Sequence, residues 1–292
     1  MFAAMDIGTN SVRLLIAQKV DGKIVSVYRD VKITRLGENL EATGKISEEA
    51  MSRTLDALVA FMETIKGFDV KQVKVVATNA MREASNAAEF LELVRHKLQL
   101  NIDIISGDEE AELSYLGACS GLNMLDDIIV VDIGGGSTEI VFKEGNEIVY
   151  TSSSLGAVRC TENSATPTQI FAELENHLNR INNLKGYTLI AVGGTATNLA
   201  AINKKLTSYD PELIHGSEVS IEELGKIIFY IGSKSLDQRL AIPGLQPERA
   251  DIIIAGLLIL WVIMTYISTD KVIVSETDIL QGIVQKYHIF NI

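Results

Sequence analysis

The stretch VVDIGGGSTEIVF, residues 130–142, decides how this chain is read. Two apolar residues lead into Asp132. Gly134, Gly135 and Gly136 follow after one isoleucine, then Ser137, Thr138 and Glu139, and then apolar residues return. The apolar flanks on either side of a glycine tip predict a hairpin. Glycines at such a tip let the backbone take positive φ and let a ligand come close to its N–H groups. A loop of that kind can cradle phosphate oxygens, with the Ser137 and Thr138 hydroxyls as further donors. Asp132 is a hard oxygen ligand, suited to Mg²⁺ held through water. Taken alone, three glycines in a hairpin are also what an ordinary turn contains.

The same pattern stands earlier in the chain. DIGTNSVRLLIAQKVDGKIVSVY begins at Asp6, and DIGGGSTEIVFKEGNEIVYT begins at Asp132. Each predicts a strand, an Asp-Ile-Gly tip, a second strand, a turn and a third strand. In the first copy Thr9, Asn10 and Ser11 take the donor positions. After each copy comes an alternation of helices and strands. This recurrence predicts an α/β chain of two domains of one ancestral type with a cleft between them. The division expected is 1–122 and 123–292, with the boundary near 121–127 and the last helix able to pack back on the first domain. Two such loops, one from each domain, would grip one phosphate chain from both sides.

Between the hairpins the pattern predicts a helix over 47–66 with Ser47 as N-cap and Ala50 at N3. It predicts a buried strand in VKVVATNA, helices in NAAEFLELVRHKLQL and DEEAELSYLGACSG, and a strand in IDIIS. Beyond the second hairpin, helices are expected at about 168–183, 196–205, 220–234 and 277–288, with strands in YTLIAVGG and KVIVSE. The segment 252–268, IIIAGLLILWVIMTYIS, carries no charge and touches the lower limit for a membrane span. Flanked by Arg249, Asp251, Asp270 and Lys271, it reads as a buried helix.

Composition narrows the function. A net charge of −12 over 292 residues is the wrong field for polyanions at large, so nucleic-acid binding is not expected. Phosphate binding would have to be local, by amides, a few cations and a metal ion. The first ten residues, MFAAMDIGTN, hold no basic or apolar targeting region, and a cytoplasmic protein with no membrane partner is expected. Cys119 and Cys160 read as buried thiols. His96, His177, His215 and His288 show no metal or base spacing. Neither G-x-x-x-x-G-K-[ST] nor G-x-G-x-x-G after the first strand is present, which sets aside P-loop and dinucleotide-binding readings. The apolar final third is compatible with a homodimer.

Three further motifs suit phosphate chemistry. In AVGGTATNLAAI, residues 191–202, a strand ends at Gly194 and Thr195 opens a helix whose N–H groups are free for an anion. ATNAMREASN, residues 77–86, places Arg82 at the carboxyl end of a strand, where a guanidinium can fork onto a phosphate. SGDEEAELSYLG, residues 106–117, gathers acids at a helix start. Successive helical residues point about 100° apart, so only one of Glu109 and Glu110 would face a shared cleft and serve as a base for water.

Together AMDIGTNSVRLLI, RLGENL, ATNAMREASN, ISGDEEAELSYLG, VVDIGGGSTEIV, SLGAVR, AVGGTATNLAA and GLQPERADIIIAG resemble the exopolyphosphatase and guanosine pentaphosphate phosphohydrolase (Ppx/GppA) family, in order over roughly residues 4–282. The resemblance implies two ribonuclease-H-like domains of the actin, sugar-kinase and heat-shock-protein ATPase superfamily, with the active site in the interdomain cleft. It implies Mg²⁺-dependent release of the terminal phosphate of inorganic polyphosphate or guanosine pentaphosphate. The family's catalytic glutamate falls on Glu110 and its metal-associated acids on Asp132 and Glu139. Its phosphate-loop residues fall on Asn10, Ser11, Gly134, Gly135, Gly136, Ser137, Gly194 and Thr195, and its arginine on Arg82. The alternatives are a polyphosphate:nucleotide phosphotransferase and a non-hydrolysing sensor of guanosine penta- or tetraphosphate. Longer family members carry an added helical domain beyond the point where this sequence stops. In VSETDILQGIV, Asp278 and Gln281 stand where the family has a small residue and a cation.

Overall fold

The computed structural model describes residues 1–292 apart from 22, 123–126, 145–146, 180–183, 185 and 289–292. Among the described residues the chain forms two mixed sheets covered by helices. The first holds β1 (Phe2–Ile7), β2 (Ser11–Val20), β3 (Lys23–Ile33), β4 (Gln72–Ala77) and β5 (Asp103–Ile104), in the order β3-β2-β1-β4-β5. The second holds β6 (Ile128–Ile133), β7 (Thr138–Glu144), β8 (Glu147–Ser153), β9 (Thr188–Val192), β10 (Ser217–Ser220) and β11 (Lys271–Val274), in the order β10-β11-β9-β6-β7-β8. The run β8-β7-β6-β9-β11 repeats the first sheet's order, with β10 added outside. In both, an antiparallel three-strand meander continues into parallel strands reached through helices. This is the α/β arrangement of two like sheets that the sequence repeat implies, and the ribonuclease-H-like topology that the resemblance implies.

Both sheets are built on a buried central strand. All six residues of β1 are buried, and so are all six of β6. In β1 the pleat sends alternate side chains to opposite faces. Ala3, Met5 and Ile7 join Leu58 and Phe61 of the helix Glu48–Lys66, while Phe2 and Ala4 join Leu113, Ile279 and Ile283. Ser47 caps the helix as expected, its hydroxyl accepting from Ala50 N–H at 3.1 Å. In the second sheet Ile129, Val131 and Ile133 pack in one core with Leu257, Leu260 and Ile263 of the helix Ile253–Tyr266. Among the described residues no helix is long and apolar enough to cross a membrane. The uncharged segment is a core helix, and Cys119 and Cys160 are buried thiols with no disulfide among the described residues.

Contacts divide the chain into Met1–Gly117 together with the segment from Ile279, and Ala118–Asp278. One edge differs from a division into 1–122 and 123–292 in which the last helix can pack back on the first domain. The first cut falls inside the helix Gly107–Leu122. The helix Ile279–His288 belongs with the first unit, because its apolar residues have their partners in Phe2, Ala4 and Leu15. Part of the expected boundary window 121–127, and the expected end of the helix at 168–183, lie outside the described residues. β10 was not expected. SEVS alternates over only four residues, and it becomes a strand by pairing with β11 across more than fifty positions of chain.

Candidate active site

The two hairpin tips are superposable in their bonding. In the first, Ile7 pairs with Val12 and Asp6 with Arg13; in the second, Ile133 pairs with Thr138 and Asp132 with Glu139. Each tip is closed by one backbone bond, Gly8 N–H to Ser11 C=O at 2.9 Å and Gly134 N–H to Ser137 C=O at 3.0 Å. The tips are held from behind through their carbonyls. Thr9 C=O accepts from Gly37 N–H at 2.9 Å, and Asn10 C=O from Thr34 and Arg35 at 3.1 and 2.9 Å. Gly134 C=O accepts from Ala157 at 2.9 Å, and Gly135 C=O from Val158 and Arg159 at 2.8 and 3.2 Å. In a trans peptide the N–H points opposite to the C=O. The Asn10, Gly135 and Gly136 N–H groups therefore point away from the anchoring segments, which is the orientation an anion needs. Gly156 is required here, because a Cβ on it would run into the Gly135–Gly136 backbone.

What differs between the tips is the charge facing the aspartate. In the first unit Arg13 donates to Asp6 Oδ2 from Nε at 2.9 Å and from Nη2 at 2.6 Å, a forked pair with Asp6 buried. In the second unit Glu139 stands at the same register position, 1% exposed, opposite Asp132 at 7%. Ser152 Oγ donates to Glu139 Oε1 at 2.8 Å and so orients it. Two buried carboxylates side by side repel unless a cation or a proton is shared between them. Among the described residues no three His, Cys, Asp or Glu side chains gather to hold a metal alone. A pair of hard oxygen donors beside an anion loop fits an ion such as Mg²⁺, which keeps waters and takes substrate oxygens as its other ligands.

The third loop closes around the same aspartate. Gly193 has φ +79°, and a Cβ there would stand 2.7 Å from Asp132 Oδ1. The helix Gly193–Asn203 starts at this point, two residues before Thr195, so its positive end lies beside the Asp132 carboxylate. Thr195 Oγ1 donates to Ile133 C=O at 3.2 Å, tying the helix to the strand that carries Asp132. Gly194 is covered by Arg249, whose guanidinium occupies the space a Cβ would need. Arg249 Nε donates to Gln246 Oε1 at 3.1 Å, Gln246 is held by Asn198 at 3.1 and 2.8 Å, and Asn198 Nδ2 returns to Gly194 C=O at 2.9 Å. A cation is thereby fixed over the third loop.

In the first unit, Glu110 is 8% exposed in the first turn of Gly107–Leu122. Arg82, from the short helix Asn79–Glu83, donates through Nη1 to Glu110 Oε2 at 2.7 Å and to Ile105 C=O at 3.0 Å. Arg82 thus meets the acid on which the resemblance puts the family's catalytic glutamate, in a geometry that orients the carboxylate. Asn10 and Ser11 are buried at the first tip, and Asn10 Nδ2 donates to no protein atom among the described residues. The structure brings Asp132, Glu139, Gly134–Ser137, Gly194 and Thr195 together in the second unit, and Arg82 with Glu110 in the first.

A profile of the Ppx/GppA phosphatase family matches residues 15–287. The chain belongs to the Ppx/GppA phosphatase family. Exopolyphosphatase 2 of Mycobacterium tuberculosis is 34% identical over 307 residues, covering 96% of both chains. A bifunctional 3-dehydroquinate synthase/phosphatase of Fusobacterium nucleatum is also 34% identical over 96% of this chain, which spans 45% of that protein's length. Among solved structures, the Aquifex aeolicus Ppx/GppA family member has a TM-score of 0.82 at 32% identity over 100% of this chain and 98% of its own. An exopolyphosphatase from Cytophaga hutchinsonii has a TM-score of 0.90 at 26% identity over 98% and 96%.

As a Ppx/GppA member the chain is a phosphatase acting on phosphoanhydride bonds. Sequence reasoning missed Arg249 and its Gln246–Asn198 support. Both Gln246 and Arg249 lie in GLQPERADIIIAG, where Arg249 entered only as the charged flank of an apolar segment. The signal that could have found it is a lone guanidinium one turn before a fully apolar helix. The contact with Gly194, 55 positions away, is tertiary.

Proposed function

We propose that this Ppx/GppA phosphatase is a Mg²⁺-dependent exopolyphosphatase. It releases the terminal phosphate of inorganic polyphosphate, and of guanosine pentaphosphate, which ends in the same group. The observation that carries the reading is the Asp132–Glu139 pair, set at a glycine loop where the first unit has Asp6–Arg13 instead. The likeness to exopolyphosphatase 2 of M. tuberculosis supports the choice of polyphosphate.

Asp132 and Glu139 would hold the ion, and Mg²⁺ when bound supplies charge neutralisation at the transferred phosphoryl group. The Gly135 and Gly136 amides, Ser137, the start of the helix at Gly193 and Arg249 bind phosphate oxygens locally, as a chain of net charge −12 requires. In the first unit Asn10 Nδ2 and Ser11 add donors. Arg82 orients Glu110, and Glu110 takes a proton from water as its oxygen bonds to the terminal phosphorus. The P–O bond to the penultimate phosphate breaks, and its bridging oxygen leaves with the shortened chain. The catalysis is positioning and electrostatics.

The test measures phosphate release from short and long polyphosphate and from guanosine pentaphosphate, with Mg²⁺ and with chelator. Glu110→Gln is expected to lower kcat by about 10²-fold or more, the range for a general base. Undiminished turnover in that variant, or in chelator, removes the assignment.

A further inference from the structure

We propose that Lys286 and Tyr287 of the C-terminal helix are positioning residues for Glu110. This rests on Glu110 being the base, as read above. The helix Gly107–Leu122 opens with Asp108, Glu109 and Glu110. Residues three apart share a helix face, so Glu109 and Glu112 point one way, and Glu110 points about 100° round from Glu109. Glu110 takes Arg82. The other face takes the helix Ile279–His288.

Lys286 Nζ donates to Glu112 Oε2 at 2.9 Å and to Glu109 Oε1 at 3.4 Å. Tyr287 OH donates to the same Glu109 oxygen at 2.8 Å. Lys74 Nζ lies 4.2 Å from the Tyr287 ring centre and pairs with Asp103 on β5, which ties the latch to the sheet edge. Below it, Gly282 lets the two helices touch, since a Cβ there would enter the Leu113 carbonyl. Ile279, Leu280, Ile283 and Val284 bury against Leu113, Ile105 and β1. The first turn is therefore held from two sides, by Arg82 on the acid itself and by Lys286 and Tyr287 on its neighbours.

Burial opposes the charge of Lys286, but the hydrogen bond and charge of Glu112, then of Glu109, outweigh it and hold the ammonium above its ordinary range. Half-exposed ion pairs add little stability, so the latch acts through geometry. A shift of about 1 Å at a reacting group can cost about 10²-fold in rate.

The experiment compares wild type, Lys286→Met/Tyr287→Phe, Lys286→Arg and Glu110→Gln in the full chain. The double variant is expected to lower kcat about 10-fold to 100-fold with KM for short polyphosphate unchanged. Lys286→Arg is expected to retain kcat. Hydrogen exchange at amides 107–112 is expected to be faster in the double variant, and this reads the latch without substrate. Turnover that depends on Glu110 but is unchanged in the double variant overturns the latch alone. Turnover independent of Glu110 overturns the base assignment. Unchanged exchange at 107–112 overturns the latch whatever the activity.

Discussion

The hairpins at 2–20 and 128–144 share a register, a four-residue tip and a closing bond, and differ in the charge that faces the aspartate. Arg13 faces Asp6 where Glu139 faces Asp132. In the first unit the acid is used up inside the protein by a forked arginine. In the second, two buried acids face each other across the strand pair, Glu139 held by Ser152; on the function proposed above, they are the pair that would hold Mg²⁺. The comparison teaches that one scaffold can be closed or opened toward chemistry by a single side chain. The first loop is anchored by residues 34–37 and the second by residues 157–159.

The sharpest way to break the comparison is to give the second hairpin the first one's charge. Glu139→Arg is expected to abolish Mg²⁺-dependent turnover while raising the thermal midpoint of metal-free protein; turnover with Mg²⁺ in that variant would show that the pair is not the metal site. The milder Glu139→Gln is expected to lower kcat/KM about 10³-fold, roughly 4 kcal/mol of transition-state stabilisation, read against Mg²⁺ concentration. The reciprocal change belongs to stability. Arg13→Met leaves the buried Asp6 without its forked donor and is expected to destabilise the fold by about 3 kcal/mol in urea titration. A smaller effect is expected at Gly193, where φ is +79° and Asp132 is in contact. Gly193→Ala should cost about 1–2 kcal/mol in stability and weaken Mg²⁺ activation.

The smallest expected effect is one of pH, confined to the first unit. Burial, then the hydrogen bond and charge of Glu109, push the Tyr287 phenol above its ordinary value of 10.0. The neutral phenol is the form the fold favours. Its contribution to stability is thus fully present below the ordinary value and lost as pH rises above it. Thermal unfolding of wild type and Tyr287→Phe should converge from about pH 10 upward.

Much of this was legible in the sequence. The two Asp-Ile-Gly tips, the third glycine loop and the acidic helix start all stand in the described structure where the sequence puts them. They were legible because each is set by a short-range rule: period two in a strand, a tight turn, a helix start. The charge swap was also open to hairpin arithmetic, since a four-residue tip places Asp6 opposite Arg13 and Asp132 opposite Glu139. Arg249 over Gly194 and the 157–159 anchor were not open to it, and the last helix was legible only as able to pack on the first domain, without β1 as its seat. Their partners lie tens to hundreds of positions away, and no local spacing encodes which distant surface a segment will meet.

By itself the sequence determined two copies of one hairpin unit, the acids and glycines at their tips, and a charge balance that confines phosphate binding to local groups. Those follow from residue type and spacing, which the backbone enforces over a few residues. Only the tertiary structure decided that Arg82 turns to Glu110, that Gln246 and Asn198 fix a guanidinium on the third loop, and that the helix Ile279–His288 takes Glu109 and Glu112 as its partners. Those contacts depend on which apolar faces bury together, and burial is settled by the whole core rather than by any stretch of it.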